Sequence, residues 1–583
     1  MLTVAGLRRN YRAGYTSPVE VVSAVFARVA AEELSPVWIS IADREQALER
    51  ARTVDQSLPL AGVPFAVKDN IDIEGMATTA GCPSFAYTPT RTASVVRRLL
   101  EAGAILVGKT NMDQFATGLV GMRSPYGECS SVFDARYIAG GSSSGSAVAV
   151  ASGLCAFALG TDTAGSGRVP AAFNNLVGLK PTRGLLSTAG VVPACQSLDC
   201  LSIFASTVAD AELVWRVGRG FDPEDPYSRT CPTGSDAAPW LNGSFRFGLP
   251  RPADLEFFDD VETAALYGMA VQRMQDIGGT AVPIDFHPFR EAAALLYGGP
   301  WVAERFAAVG EFVAGGAPDV HPVVRDIVMA GAAYCAADAY RAAYRLEALK
   351  REAQAVWADL DVLLLPTAAT IYTREAVRSD PVRLNANLGY YTNFVNLMDL
   401  AAVALPAGFR RDGLPFGVSI IGPAFADRAL LSLGGRFMNQ TTAWSIDTPG
   451  CIVVAVVGAH LEGQPLNRQL AELGARLVRT CRTSPQYRLF VLHEAVPIKP
   501  ALVRDPDYFG AGIEVELWAV PEDRFGGFVA AVPWPLAIGS VQMDDGEWVK
   551  GFVCEPAAIQ GSSEITRFGG WRAYLNRETV RSS

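Results

Sequence analysis

Two glycine- and serine-rich turns run straight into apolar sequence: GGSSSGSAVAVASG at 140–153 and GTDTAGSGRVPAAFNNLVGLKPT at 160–182. A flexible linker does not lead into a helix-like run of Ala and Val, so the pair reads as backbone turns built into a packed core. Strand and helix patterns alternate around them. Residues 63–67 are strand-like, 94–102 helical, 104–107 a buried strand, and 176–179 a further strand before Lys180-Pro181. This alternation predicts an α/β fold with a largely parallel sheet. Residues 1–55 read as helices, with Ser17-Pro18-Val19-Glu20 as a helix start. Residues 252–360 look mostly helical, over 261–277, 301–313 and 338–360, and strands return at 361–365 and 401–405.

A chain of 583 residues exceeds one ordinary core, so at least two domains are expected. Half of the residues are hydrophobic and 19% are charged, which suits a large buried interior. Near 440–450 the pattern changes. Asp447-Thr448-Pro449-Gly450 is turn-rich, and short β-type segments follow at 452–457, 487–492, 512–520 and 528–532. The expected division is a first domain at 1–445 and a smaller, β-rich α+β domain at 451–583.

A net charge of −10 argues against nucleic acid as a partner. The first residues lack a signal-peptide pattern and no apolar run reaches bilayer length, so no membrane role and a cytoplasmic setting are expected. Ten Cys without a CxxC pair read as free thiols. The four His, His287, His321, His460 and His493, show no metal-ligand spacing, so neither metal nor cofactor is implied.

Two short motifs mislead. Gly103–Thr110 satisfies the GxxxxGK[ST] expression, yet its four middle residues form the apolar strand itself, whereas a phosphate cradle needs free loop amides. Gly141-Ser142-Ser143-Ser144-Gly145 satisfies GxSxG, but 133–136 is a poor strand to lead into a nucleophile elbow.

Ser and Lys together offer more. A Ser hydroxyl needs a base to become a nucleophile, and a Lys whose pKa is lowered by burial can serve. Lys68 follows the apolar strand in GVPFAVKDNID. That segment, GKTNMDQFATG at 108–118 and the two Gly/Ser turns, in this order, resemble the amidase signature family over roughly residues 1–440. The resemblance implies the amidase-signature fold, a mixed, mostly parallel central sheet flanked by helices. It also implies a Ser–cis-Ser–Lys triad on Ser166, Ser142 and Lys68, with a cis peptide between Gly141 and Ser142. Ser166 would attack the amide, and Ser142 would relay its proton to Lys68. Thr163, Ala164, Gly165 and Ser166 would present amides as an oxyanion hole. Ser143 and Ser144 read as structural, and Asp162 and Arg168 as organisers of the loop.

The substrate is argued from other segments. LLYGGPWVAER at 295–305 resembles the stretch of allophanate hydrolases that supplies a Tyr and an Arg to the substrate, here Tyr297 and Arg305, with Gly118 as a further contact. An Arg fork suits a small planar acid such as allophanate. Segments 453–477, 487–492 and 551–575 resemble the C-terminal domain of the same enzymes, which has a γ-glutamyl-cyclotransferase-like fold. The resemblance implies ammonia release from allophanate, decarboxylation of the resulting N-carboxycarbamate with help from the tail, functional coupling to urea carboxylase, and a homodimer. In the tail His460 is the candidate, with Glu516 and Arg488 behind it. Arg567 stands where this pattern has His. A general small-amide amidase with a structural tail, and the glutaminase component of a tRNA-dependent amidotransferase, are the competing readings.

Overall fold

The computed structural model describes residues 2–31, 36–232, 244–440, 451–492, 498–544 and 548–581. Runs of unbroken apolar residues become strands covered on both faces. They are β1 (Trp38–Ile41), β2 (Pro64–Lys68), β3 (Ile105–Thr110), β4 (Phe157–Asp162), β5 (Val177–Lys180), β6 (Cys200–Ala205), β7 (Phe245–Pro250), β8 (Gly279–Ile284), β9 (Val362–Pro366), β10 (Leu400–Phe409) and β11 (Pro415–Pro423). They form one sheet in the order β1-β3-β2-β4-β6-β5-β10-β11-β9-β7-β8.

Side chains alternate across this sheet, so each strand feeds two cores. Phe65, Val67, Phe157, Leu159, Leu201 and Ile203 meet the helices Ser94–Glu101 and Val208–Gly218 on one face. Ala66, Ala158 and Phe204 meet the helix Ser144–Ala151 on the other. That helix is apolar nearly all round, as a helix enclosed by protein must be, and its small side chains explain the Ala/Val run behind the first Gly/Ser turn.

The α/β class holds, but the expected share of parallel pairing does not. β3, β2 and β4 run parallel, as do β8, β7 and β9. The middle is antiparallel from β4 through β6, β5, β10 and β11 to β9. One cause is visible in the chain itself: only residues 410–414 join β10 to β11, too few for the crossover that a parallel pair needs.

Three local expectations are also corrected. Residues 1–55 hold the helices Val4–Arg12, Pro18–Ala31 and Arg44–Thr53, but Trp38-Ile39-Ser40-Ile41 forms the edge strand β1 against β3. The stretch 252–360 contains β8, paired to β7. Residues 528–530 end a helix, Glu522–Ala530, and 531–532 follow it in a turn, so the stretch is not a strand. Glu522 and Asp523 occupy its first turn, where acidic side chains suit the helix dipole, and Phe528 is its buried anchor. The helix start at Ser17 is as expected: Glu20 N donates to Ser17 Oγ at 3.3 Å, and Ser17 N donates back to the Glu20 carboxylate at 2.8 Å.

The chain separates into two units, Met1–Thr442 and Ala443–Ser583. The turn-rich joint expected at Asp447–Gly450, and His493, lie outside the described residues. In the second unit β12 (Cys451–Val456), β13 (Arg476–Arg482), β14 (Tyr487–Leu492), β15 (Lys499–Arg504), β16 (Glu514–Pro521), β17 (Leu536–Gln542), β18 (Trp548–Cys554) and β19 (Ser563–Glu564) build two sheets. Their orders are β13-β16-β12-β18-β17 and β15-β14-β19. Among the described residues no helix is long and apolar enough to cross a membrane.

Phe65 and Phe157 are fully buried and stack across β2 and β4, with ring centroids 5.2 Å apart. Phe157→Ala is expected to cost about 3–5 kcal/mol through the cavity left between the strands that carry the site. The urea midpoint of the first unit measures this; a loss below about 1 kcal/mol contradicts the packing described.

Candidate active site

Lys68 is the last residue of β2 and is fully buried. Its Nζ lies 2.7 Å from Ser142 Oγ and 2.7 Å from Thr161 Oγ1. Both partners are neutral hydroxyls. Burial pushes the amine down to about 7; the charges of Asp113, Asp199 and Asp162 oppose that fall, and Arg305 adds to it.

Ser142 follows a cis peptide bond to Gly141. A Cβ on Gly141 would come within 2.1 Å of Asp113 Oδ2 and 2.6 Å of Gly121 N, so the turn admits no side chain there. Asp113 is the reason: its Oδ2 accepts from Gly121 N at 3.0 Å and its Oδ1 from Arg123 N at 2.8 Å, which closes the neighbouring loop over the turn. Ser143 does not cap the helix behind it. Its hydroxyl bonds the Thr161 backbone, donating to O at 3.1 Å and accepting from N at 3.3 Å. This commits the serine of the GxSxG match to structure. Lys109 of the GxxxxGK[ST] match is likewise consumed. It is buried in β3, donates to Thr78 Oγ1 at 2.7 Å, and pairs with Asp69 at 3.3 Å.

The second turn leaves the end of β4. Asp162 and Arg168 are fully buried and joined by two parallel hydrogen bonds of 2.9 Å. Burial raises the Asp162 carboxyl, but the Arg168 charge and the hydrogen bonds outweigh it and hold it below the usual range. Asp162 also accepts from Gly165 N and Gly167 N, each at 3.0 Å, so it folds the turn that presents Ser166, which is 2% exposed. Gly165 has φ +139°, and a Cβ there would meet Thr392 Oγ1 at 2.5 Å. Its amide is already given to Asp162, which corrects its place among the expected oxyanion donors. Among the described residues the amides of Thr163, Ala164 and Ser166 make no hydrogen bond. Ala164 belongs to the same buried apolar cluster as Cys195 and Leu198.

Asp199, Thr161 and Asp113 were not singled out from sequence. The Thr163 hydroxyl donates to Asp199, which also accepts from Ala194 N at 2.8 Å and Cys195 N at 3.2 Å. Burial pushes the Asp199 carboxyl up to about 6 against these bonds and Arg305. An acid inside the apolar stretch LDCLSIFA was the available signal. Thr161 carried no such signal, because it reaches Lys68 only through the pairing of β2 on β4, two residues past Leu159, which pairs with Val67.

Tyr297 and Arg305 come from successive helices, His287–Gly298 and Val302–Ala314, and converge. Arg305 is 2% exposed. It donates to Tyr297 Oη at 3.2 Å and to Thr117 Oγ1 at 2.8 Å, with its guanidinium carbon 5.3 Å from the Tyr297 ring centroid. Gly118 follows Thr117 and leaves room for Asp113 and Arg123, since a Cβ would stand 2.6 Å from Asp113 Oδ2.

The second unit has its own cavity, of about 270 Å³, lined by His460, Gln469, Lys499, Phe528 and Phe552. His460 stacks on Phe552 at 4.9 Å, and its Nε2 lies 2.9 Å from Gln469 Oε1. Burial and, less, Lys499 lower its pKa, which keeps the ring neutral near pH 7. Its backbone carbonyl accepts from Asn467 Nδ2 at 2.9 Å, which ties down the turn. Glu516 is 2% exposed and saturated by Glu462 N, Trp518 Nε1 and Arg572. Arg488 pairs with Asp505 at 2.9 Å and Glu564 at 3.4 Å, and Arg567 lies over the Phe568 ring. Glu516 and Arg488 thus serve the fold.

The unfolded chain protonates Lys68 near pH 10.5 and the folded chain near 7. As pH falls through that window this group increasingly disfavours folding, and the penalty levels off below 7. Lys68→Met is expected to stabilise the first unit by about 1–2 kcal/mol at pH 7 while abolishing turnover, with the gain shrinking towards pH 10. Urea midpoints across pH test this; a variant less stable than wild type at pH 7 contradicts the assignment of a desolvated amine.

Comparison with known proteins agrees with these two units. Residues 20–431 match the Amidase family and residues 452–576 the allophanate hydrolase C-terminal domain. The chain is 43% identical over 581 residues to a urea amidolyase of Saccharomyces cerevisiae, covering 93% of this chain and 31% of that one; it thus spans about a third of that relative. It is 33% identical to a glutamyl-tRNA(Gln) amidotransferase chain of Picosynechococcus, over 77% of this chain and 100% of that one. The solved structure of Kluyveromyces lactis allophanate hydrolase is similar over 98% of this chain and 99% of that one, with a TM-score of 0.75 and 42% identity. The chain therefore belongs to the amidase family and carries the allophanate hydrolase C-terminal domain.

Proposed function

We propose that this chain hydrolyses allophanate. The observation that carries the reading is the buried guanidinium of Arg305, bonded among the described residues only to neutral oxygens and set beside Tyr297, within reach of the electrostatics of Lys68. A desolvated fork of this kind suits the carboxylate of a small planar acid.

In the proposed mechanism Lys68 is neutral and accepts a proton from Ser142, which takes one from Ser166. Ser166 Oγ attacks the terminal amide carbon, and the free amides of Thr163, Ala164 and Ser166 receive the developing oxyanion. Collapse returns a proton to the leaving nitrogen and releases ammonia. Water then attacks the acyl-enzyme by the same route and releases N-carboxycarbamate, which loses carbon dioxide. The apolar cavity around His460 is where the tail would assist that loss. Coupling to a urea carboxylase fits the likeness to one third of a urea amidolyase. The division at 1–445 and 451–583 stands as the proposed domain boundary.

A general amidase is the second reading, supported by the similarity to the amidotransferase chain over the first unit. Ammonia release from allophanate, malonamide and glutamine separates the two. Allophanate is expected to be the best substrate by kcat/KM. Ser166→Ala should lower kcat by about 10⁴-fold or more, and Arg305→Ala should raise KM for allophanate about 10-fold more than for malonamide. Equal use of the acid and the neutral amides overturns the substrate and leaves the amidase.

Because the base must be unprotonated, kcat/KM should rise about tenfold per pH unit up to about 7 and then level off. A profile flat between pH 5 and 8 contradicts Lys68 as the base.

A further inference from the structure

A second guanidinium stands beside Arg305. Arg123 is 2% exposed. Its Nη1 donates to Thr117 O at 3.0 Å and its Nη2 to Pro381 O at 2.7 Å, while its Nε is buried without a hydrogen-bond partner among the described residues. Arg305 repeats this pattern. It bonds the Thr117 hydroxyl and Tyr297, and its Nε too is buried and unpartnered among the described residues. Thr117 therefore carries both cations, one on its carbonyl and one on its hydroxyl.

Every hydrogen bond these two guanidiniums make among the described residues goes to a neutral oxygen. The carboxylate of Asp113 lies close by, yet its oxygens are taken by the backbone amides of Gly121 and Arg123. Among the described residues neither buried cation has a carboxylate as a direct hydrogen-bond partner, and each keeps at least its Nε–H unused.

A cavity of about 560 Å³ lies beside Arg123 and Tyr297, lined also by Asn385, Tyr390 and Asn393, and Arg305 is not among its lining residues. Arg290 and Asp326 of its lining are exposed, whereas Arg123 is buried. Gly118 is part of the device: a Cβ there would stand 3.2 Å from Arg123 Cδ.

We propose that Arg123 is a second specificity-determining residue, which uses its free Nε–H to contact the carboxylate of the substrate acid alongside Arg305 and Tyr297. This rests on the reading that Arg305 and Tyr297 receive the acid. The competing role is a clasp that merely ties Thr117 to Pro381.

The test uses the full chain as wild type, Arg123→Gln and Arg123→Lys, with allophanate and malonamide as substrates and malonate as a competing acid. In Arg123→Gln the ratio of kcat/KM for allophanate over that for malonamide should fall about 10-fold or more, through KM for the acid, and malonate inhibition should weaken in step. Arg123→Lys keeps the charge but loses the fork, so its ratio should lie between the two. If Arg123→Gln does not fold, the ratio in Arg123→Lys decides alone. A wild type that prefers the acid, with an unchanged ratio in the folded variants or an equal fall for both substrates, overturns the role of Arg123 only. A wild type without preference overturns the parent reading and this one with it.

Discussion

A lysine amine buried at the end of a strand, with two hydroxyls as its hydrogen-bond partners, is the constraint on which the rest of the first unit depends. A carboxylate bound directly to such an amine would oppose the effect of burial. The surroundings avoid this by giving every nearby acid another task. Asp162 is locked by Arg168 and two loop amides, Asp113 by the amides of Gly121 and Arg123, and Asp69, the residue next to Lys68, by Lys109 and Thr79. Asp199 is held by Thr163 and two amides. The acids still temper the amine from a distance, and the result sits near neutrality rather than far below it.

The same groups build the turns. β4 supplies Thr161 to the amine, anchors the first turn through Ser143, and continues into the second through Asp162. Both turns are thereby fastened to one strand end, in the middle of an eleven-stranded sheet covered on both faces. Gly141 and Gly165 are glycine for reasons of space, since Asp113 and Thr392 fill the positions where side chains would stand.

Much of this was legible in the chain. The apolar run 63–67 ending in Lys68 and the two Gly/Ser turns were local signals, while the choice of Ser166, Ser142 and Lys68 as a triad was what the resemblance to the amidase signature family implied. Pairing direction was legible only where a short link between two strands forces it. Whether β10 and β11 run antiparallel depends on a five-residue turn, and the central strands look alike whichever way they pair. The stretch 528–532 was misread because five apolar residues fit the end of a helix as well as a strand, and the acidic start at Glu522 lay outside the window. Arg123 escaped notice because burial of a cation is a tertiary property: nothing in MRSPYG tells that its side chain is enclosed between Thr117 and Pro381.

Lys68 and Ser142 are proposed to activate Ser166. Acid quenching during turnover of allophanate, followed by peptide mass mapping, tests this most directly. The expected result is an acyl adduct on the peptide containing Ser166, present in wild type and absent when Lys68 is replaced by Met. An adduct on Ser142, or acylation of Ser166 at the wild-type rate without the Lys68 amine, would contradict it.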